Sequence, residues 1–194
     1  PELEQKIDTA TERGLSFLAK IQLKDGSFPG NQKVAATALA IMAFQAKGYQ
    51  PGEPPYGDAI DKAIDCVLAQ QQPNGMIAGA GQMYAHGIAS VMLAEVVGHT
   101  TGKRNKQVRD ALAKSIKLIL DAQKLPKEDR YKGGWRYQPT SMDADLSVTG
   151  WQLMALRAAK NAGADVPDEA IKMAVEYVTR SAARKGGFGY QPGG

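Results

Sequence analysis

Four times along the chain a glycine turn leads into a bulky apolar residue: Gly26-Ser27-Phe28, Gly75-Met76-Ile77, Gly133-Gly134-Trp135 and Gly186-Gly187-Phe188. The first glycines of these turns stand 49, 58 and 53 residues apart. The last two turns are near-copies, "YKGGWRYQP" at 131–139 and "RKGGFGYQP" at 184–192. A period of this size marks a repeated supersecondary unit, one that buries its apolar face only against its neighbours.

Two kinds of stretch alternate with the turns. Before each turn lies an amphipathic one: "EQKIDTATERGLSFLAKIQ", "DAIDKAIDCVLAQQQ", "KQVRDALAKSIKLILDAQ" and "DEAIKMAVEYVTRSAA". In the first, Ile7, Ala10, Gly14, Leu18 and Ile21 share one face at helical spacing, with the charges elsewhere. After three turns comes a drier stretch, "VAATALAIMAFQAKG", "YAHGIASVMLAEVVG" and "LSVTGWQLMALRAAKNAG", apolar nearly all round and rich in alanine. Such helices belong in an interior. The alternation predicts seven helices, four outer and three inner, in two layers. Pro51, Pro54, Pro55 and Pro167 break the chain between units, and Asp168 with Glu169 suits the start of the fourth outer helix. Residues 1–194 read as a single domain with units at roughly 1–55, 56–102, 103–166 and 167–194, the last without its inner helix.

Composition removes several function classes. Lys and Arg number 24 against 20 Asp and Glu, a net charge of +4. The densest basic stretch, "GKRNKQVR" at 102–109, reads as a solvated loop and helix start, so no nucleic-acid partner is expected. Cys66 is alone, which leaves no disulfide framework and no thiolate-rich zinc site, and fits a cytoplasmic protein. No apolar run approaches the ~20 residues that span a membrane. The numbering begins at Pro1, and any targeting segment is expected to lie before it.

The order of glutamine, glycine and aromatic between an outer and an inner helix resembles the QW repeat of squalene–hopene and other triterpene cyclases, whose α/α toroid protein prenyltransferase β subunits share. Gln22-Leu23-Lys24-Asp25-Gly26-Ser27-Phe28 matches well, with Phe in the aromatic place; Gln71 to Ile77 ends on an aliphatic residue. Gln123 is separated from Gly133-Gly134-Trp135 by the insertion "KLPKEDRYK", and the fourth unit has Ala182 in the glutamine's place. The resemblance covers essentially the whole chain. It implies an all-α, incomplete α/α toroid of about three and a half helix pairs. It further implies that the open end is covered by the remainder of a longer chain or by a second copy, and that the ring encloses an apolar, isoprenoid-type small molecule. An open HEAT-like solenoid is the alternative fold.

Cyclase chemistry needs a strong acid, aromatic faces for a cation and a dry cavity. In the family the acid is the central residue of an Asp-x-Asp-Asp motif near the start of an inner helix. Asp143-Ala144-Asp145-Leu146 occupies that place, so the resemblance puts Asp145 at the donor position with Asp143 beside it, and Leu146 where the last carboxylate would be. The competing reading is that Asp143, Asp145 or Ser147 caps the inner helix that follows. His86 aligns with Thr37 and Thr149 in the first turn of its inner helix, at the same end as Tyr84, Asp145 and Trp151. His86, Tyr84, Trp151, Trp135 and Tyr137 are the candidate ligand contacts. Against that stand a helix-end hydrogen bond for His86, and inter-helix wedging for Trp135 and Tyr137 with Phe188 and Tyr190. Met42, Met83, Met92, Met154 and Met173 fill the core or line a pliable cavity. No Asp-Asp-x-x-Asp magnesium motif, Cys-Gly-Glu-Gln thioester, phosphate loop or zinc set is present, so no metal or cofactor is expected. The sequence thus points to a cyclase-like toroid domain of undemonstrated activity, one sector of an apolar cavity, or else to a non-catalytic scaffold built on the same helices.

Overall fold

Proline-free stretches rich in alanine and leucine become helix here, and glycine or proline ends most of them. The computed structural model describes residues 2–77, 82–183 and 185–193. Among these, seven α-helices follow in order: α1 Glu2–Ile21, α2 Lys33–Ala46, α3 Gly57–Leu68, α4 Gln82–Val96, α5 Gly102–Gln123, α6 Leu146–Asn161 and α7 Asp168–Arg180. One 3-10 turn, Asp129–Tyr131, lies in the insertion before the third glycine turn. The described residues contain no strand, only the isolated bridges Gln71–Ile77, Trp135–Asp145 and Ala182–Phe188. The chain is all-α, with four outer and three inner helices as the alternation predicts.

Helices α2, α4 and α6 form the inner row, α4 packing between the other two. Each inner helix also packs against the outer helix that follows it: α2 on α3, α4 on α5, α6 on α7. Flanked on both sides, α4 buries nearly every residue from Met83 to Val96. At the ends of the row the all-round dryness breaks down, and Leu39 of α2 and Met154 of α6 are 44% and 52% exposed. Helix α1 differs more from expectation. Its predicted face at Ile7, Ala10 and Gly14 lies in the open, and only Leu15, Leu18, Ala19 and Ile21 reach the core. Among the described residues the first half of α1 meets mainly Lys47 and Tyr49, through Asp8 and Glu12.

What repeats most faithfully is a hydrogen-bonded joint. The Nε2 of Gln22 donates to Gly26 O at 3.0 Å and to Ala59 O of α3 at 2.8 Å. Gln71 does the same to Gly75 O and to Ala111 O of α5, at 3.2 and 2.8 Å. Gln123 does so to Gly133 O and Ala170 O of α7, at 3.1 and 2.9 Å. One side-chain amide thus ties its own turn to the next outer helix. The turn glycine makes the close approach possible. A Cβ on Gly26, Gly75 or Gly133 would sit 2.2, 2.5 or 2.1 Å from the carbonyl oxygens of Lys62, Lys114 and Met173, and all three have positive φ. The bridge between Ala182 and Phe188 matches that between Gln71 and Ile77, which confirms Ala182 as the fourth glutamine position. No described residue crowds Gly186.

Because Gln123 is buried, removing its amide strips the carbonyl of Gly133 of its donor and leaves that of Ala170 with its helical bond alone. Gln123→Ala is expected to cost about 2–3 kcal/mol, read by chemical denaturation. Gln22→Ala, at a half-buried joint, is expected to cost less; equal losses would break the account.

Candidate functional site

The inner helices present their first turns at one end of the row, and each turn is met there by a bulky residue's backbone N–H. Phe28 N–H donates to Thr37 Oγ1 at 3.1 Å, and Trp135 N–H to Thr149 Oγ1 at 3.0 Å. In the middle unit Ile77 N–H donates to His86 Nδ1 at 3.0 Å. With Nδ1 accepting, the proton sits on Nε2 and is donated to Ser115 O at 3.1 Å. His86 is fully buried. Burial holds its pKa at about 4, well below the usual imidazole value. Both ring nitrogens are used, and the imidazole joins the second turn to α5. Trp135 has a buried ring whose Nε1–H donates to Ile119 O at 2.8 Å, so it wedges between α5 and α6.

Asp145 is the N-cap of α6. Its Oδ1 accepts from Val148 N–H at 2.8 Å and from Ser147 Oγ–H at 2.7 Å, while its own N–H donates to Trp135 O at 2.9 Å. The residue is wholly buried, and Oδ2 finds no hydrogen-bond partner among the described residues. The Arg136 guanidinium lies beside it, Nε standing 3.7 Å from Asp145 Oδ2 and 3.6 Å from Asp143 Oδ2. Asp143 is the exposed member of the pair, its side chain 42% accessible. Arg136 also lies against two rings, 4.8 Å from the Tyr137 centroid and 5.4 Å from that of Tyr190. The two tyrosine hydroxyls are hydrogen-bonded to each other, which pushes that of Tyr190 up. Tyr177 closes the cluster from α7, its hydroxyl raised to about 12 by burial. The third and fourth turns therefore meet over the start of α6. Arg136 and Tyr177 carry no pattern that would single them out beforehand; Tyr190 was visible only as the copy of Tyr137.

A second surface follows from the register that the first-turn acceptors define. Two residues before Thr37, His86 and Thr149 stand Ala35, Tyr84 and Ser147; two after stand Leu39, Ile88 and Trp151; five after, Met42, Val91 and Met154; nine after, Ala46, Glu95 and Ala158. At helical spacing these four levels form one strip on each inner helix, turned away from the face that meets the outer layer. On α4 the strip is nearly closed, Ile88 and Val91 each being 5% exposed. On its neighbours it is open at Leu39 and Met154 and half-buried at Ala35, Met42 and Trp151. Tyr84 and Trp151 fall on this strip, whereas Asp145, Asp143 and Tyr137 belong to the capping cluster. The described residues contain no His, Cys, Asp and Glu grouping suited to a metal ion, and no helix long and apolar enough to cross a membrane.

No family model and no curated protein matches the sequence. Solved structures do. The polysaccharide lyase BACCELL_00875 superimposes with a TM-score of 0.65 at 12% identity, over 90% of this chain and 57% of the lyase. The fold is an α/α toroid. The chain spans a little over half the length of that structure, and likeness at this identity is one of fold alone.

His86 sets a pH dependence. Its folded pKa of about 4 lies below the ordinary 6.5, so below pH 6.5 the unfolded chain takes up the proton first. The contribution is present above 6.5 and lost as pH falls toward 4, at about 1.4 kcal/mol per unit. His86→Thr, which restores the residue type of the other two units, is expected to flatten that acid slope in thermal melts recorded between pH 7 and 4. An unchanged slope would refute the assignment. Asp145→Ala is expected to cost about 1–2 kcal/mol through the lost cap, and Asp145→Asn clearly less, in denaturant titration.

Proposed function

We propose that the chain is one sector of a ligand-binding toroid of the terpenoid cyclase and protein prenyltransferase repeat type, and that its inner strip takes an apolar, isoprenoid-type molecule. The carrying observation is the strip itself. Its two middle levels hold Leu39, Met42, Ile88, Val91, Trp151 and Met154, with no charge among them, and Leu39 and Met154 stand open to solvent. Large apolar side chains in register on adjacent helices gain roughly 25 cal/mol for each Å² that a ligand covers. Tyr84 and Ser147 at one end of the strip and Glu95 at the other offer polar groups that would orient an amphiphilic molecule. The repeated glutamine joints support the repeat type, since each amide serves its own turn glycine and the next outer helix alike.

The reading is one of binding. Asp145 Oδ1 is occupied by the cap of α6, and Asp143 is paired with Arg136. A saccharide ligand has one observation of its own. Tyr137 and Tyr190, 43% and 50% exposed, present rings on either side of Arg136 next to Asp143. That surface adjoins the first level of the strip, where Ser147 donates to Asp145 Oδ1, so substitutions at Tyr190 and at Leu39 or Met154 are needed to tell the two readings apart.

Titration with farnesol, followed by tryptophan fluorescence with Trp151→Phe assigning the signal, is expected to saturate in the micromolar range. Leu39→Asp or Met154→Asp should weaken it at least tenfold, and Asp145→Asn should leave it unchanged while lowering the melting temperature. Saturable binding of an oligosaccharide that Tyr190→Ala abolishes, with no farnesol response, would replace the apolar reading by the saccharide one. Binding of neither would leave the scaffold reading.

A further inference from the structure

The repeated joints define equivalent positions from unit to unit, and one set of them is filled differently each time. Seven residues on from the outer-helix carbonyl that each glutamine holds stand Cys66, Leu118 and Tyr177. Directly after the turn glycine stand Ser27, Met76 and Gly134. Five residues before the first-turn acceptor stand Gln32 in the first unit and Ala144 in the third.

In the third unit a phenol ring occupies this place. Tyr177 is wholly buried and clusters with Ala144, and a Cβ on Gly134 would lie 2.9 Å from its Cδ2. In the second unit the aliphatic chains of Leu118 and Met76 stand there, both buried. In the first unit the side chains are shorter or polar, and Ser27, Gln32 and Cys66 line a cavity of about 390 Å³. Val34 and Val67, both buried, give it apolar walls. Asp25 and Lys33 also line it; their side chains are more than half exposed, which puts them at the mouth, 3.3 Å apart. Ser27 donates to Asp25 Oδ1 from its N–H at 3.0 Å and from its hydroxyl at 2.6 Å. These bonds hold the Asp25 pKa down at about 2, so the carboxylate is an ionised acceptor.

We infer that this cavity, outside the inner strip, is a binding site for a small phenol, whose ring lies between Val34, Val67 and Cys66 and whose hydroxyl donates to Asp25 Oδ2. The ring stands where the third unit carries one of its own. A free ring suits the first unit better than a tethered one, because Ser27 has the Cβ that Gly134 lacks and the ring must sit nearer the mouth. An apolar cavity of about 150 Å³ already holds benzene, and here the walls supply the apolar contact and the mouth the polar one.

The test uses p-cresol, the tyrosine side chain alone, titrated into the chain and followed by ¹H–¹⁵N amide shifts, and it does not depend on what the inner strip binds. Saturating shifts at Ser27, Val34 and Val67 are expected, with a dissociation constant of about 1 mM for a ligand of this size. Cys66→Leu, which brings in the residue type of α5, should weaken binding at least tenfold. Asp25→Asn keeps the turn, since Asn74 Oδ1 accepts from Met76 N–H at 3.0 Å in the second unit, and should weaken binding about fivefold. No saturation, or saturation that Cys66→Leu leaves in place, overturns the inference. An unchanged affinity in Asp25→Asn overturns the assignment of a phenol.

Discussion

A side-chain amide, placed once in each of the first three units, sets the geometry between consecutive units. Gln22, Gln71 and Gln123 each give one hydrogen to the turn glycine's carbonyl and the other to the next outer helix. The two acceptors belong to consecutive units, so the amide fixes how far apart those units stand and how they are turned. Buried carbonyls deprived of such a donor are expensive. The glycine follows from the same constraint, because the carbonyl three residues along the next outer helix lies where its Cβ would be. The aromatic or aliphatic residue after it has its N–H tied to the first turn of the inner helix. One joint thus aligns outer to outer and outer to inner.

That chain of dependence explains what could be read from residues alone. The glycine turns, the alternation of half-wet with dry stretches and the alignment of His86 with Thr37 and Thr149 are all local, and each maps directly onto a contact. The chemistry of His86 was legible only in part. Its position implied a helix-end partner, but only the packing of α5 supplies Ser115 O, which completes its hydrogen bonding. Trp135 misleads for the opposite reason: an aromatic after a glycine turn suits a pocket wall and a wedge equally, and the choice rests on Ile119 O, sixteen residues upstream. Arg136 and Tyr177 acquire meaning only because two turns from different units converge on α6. Nothing within either turn announces that meeting. The exposed half of α1 shows the limit of periodicity, which reports a face able to be buried and not whether a neighbour is present to bury it.

Capping and acid chemistry compete for the same carboxylate at Asp145, and the geometry weighs the two. An N-cap needs one oxygen directed at the free N–H groups of the helix, and Oδ1 does this with a serine hydroxyl in support. An acid needs an oxygen that faces the reacting molecule. Oδ2 faces Arg136 instead, in a cluster whose other members are three tyrosines and Asp143. The carboxylate cap, the guanidinium and the two rings against it hold the third and fourth turns together over the helix start, while Asp145 Oδ2, Arg136 Nη1 and the Tyr177 hydroxyl stay buried without a hydrogen-bond partner among the described residues.

In a repeated architecture the positions that agree between units maintain the spacing, and those that differ are free to specialise. Glutamine, turn glycine and first-turn acceptor agree. The inner strip does not: Ala35, Tyr84 and Ser147 share one level, Leu39, Ile88 and Trp151 the next, and Ala46, Glu95 and Ala158 the last. Packing alone would favour similar small residues on all three helices, as it does on the alanine-rich faces between them. A tyrosine, a tryptophan and a glutamate on one continuous strip instead give the surface a polar end, an aromatic middle and an acidic end. Such a gradient departs from the uniform wall of small residues that helix packing alone would build.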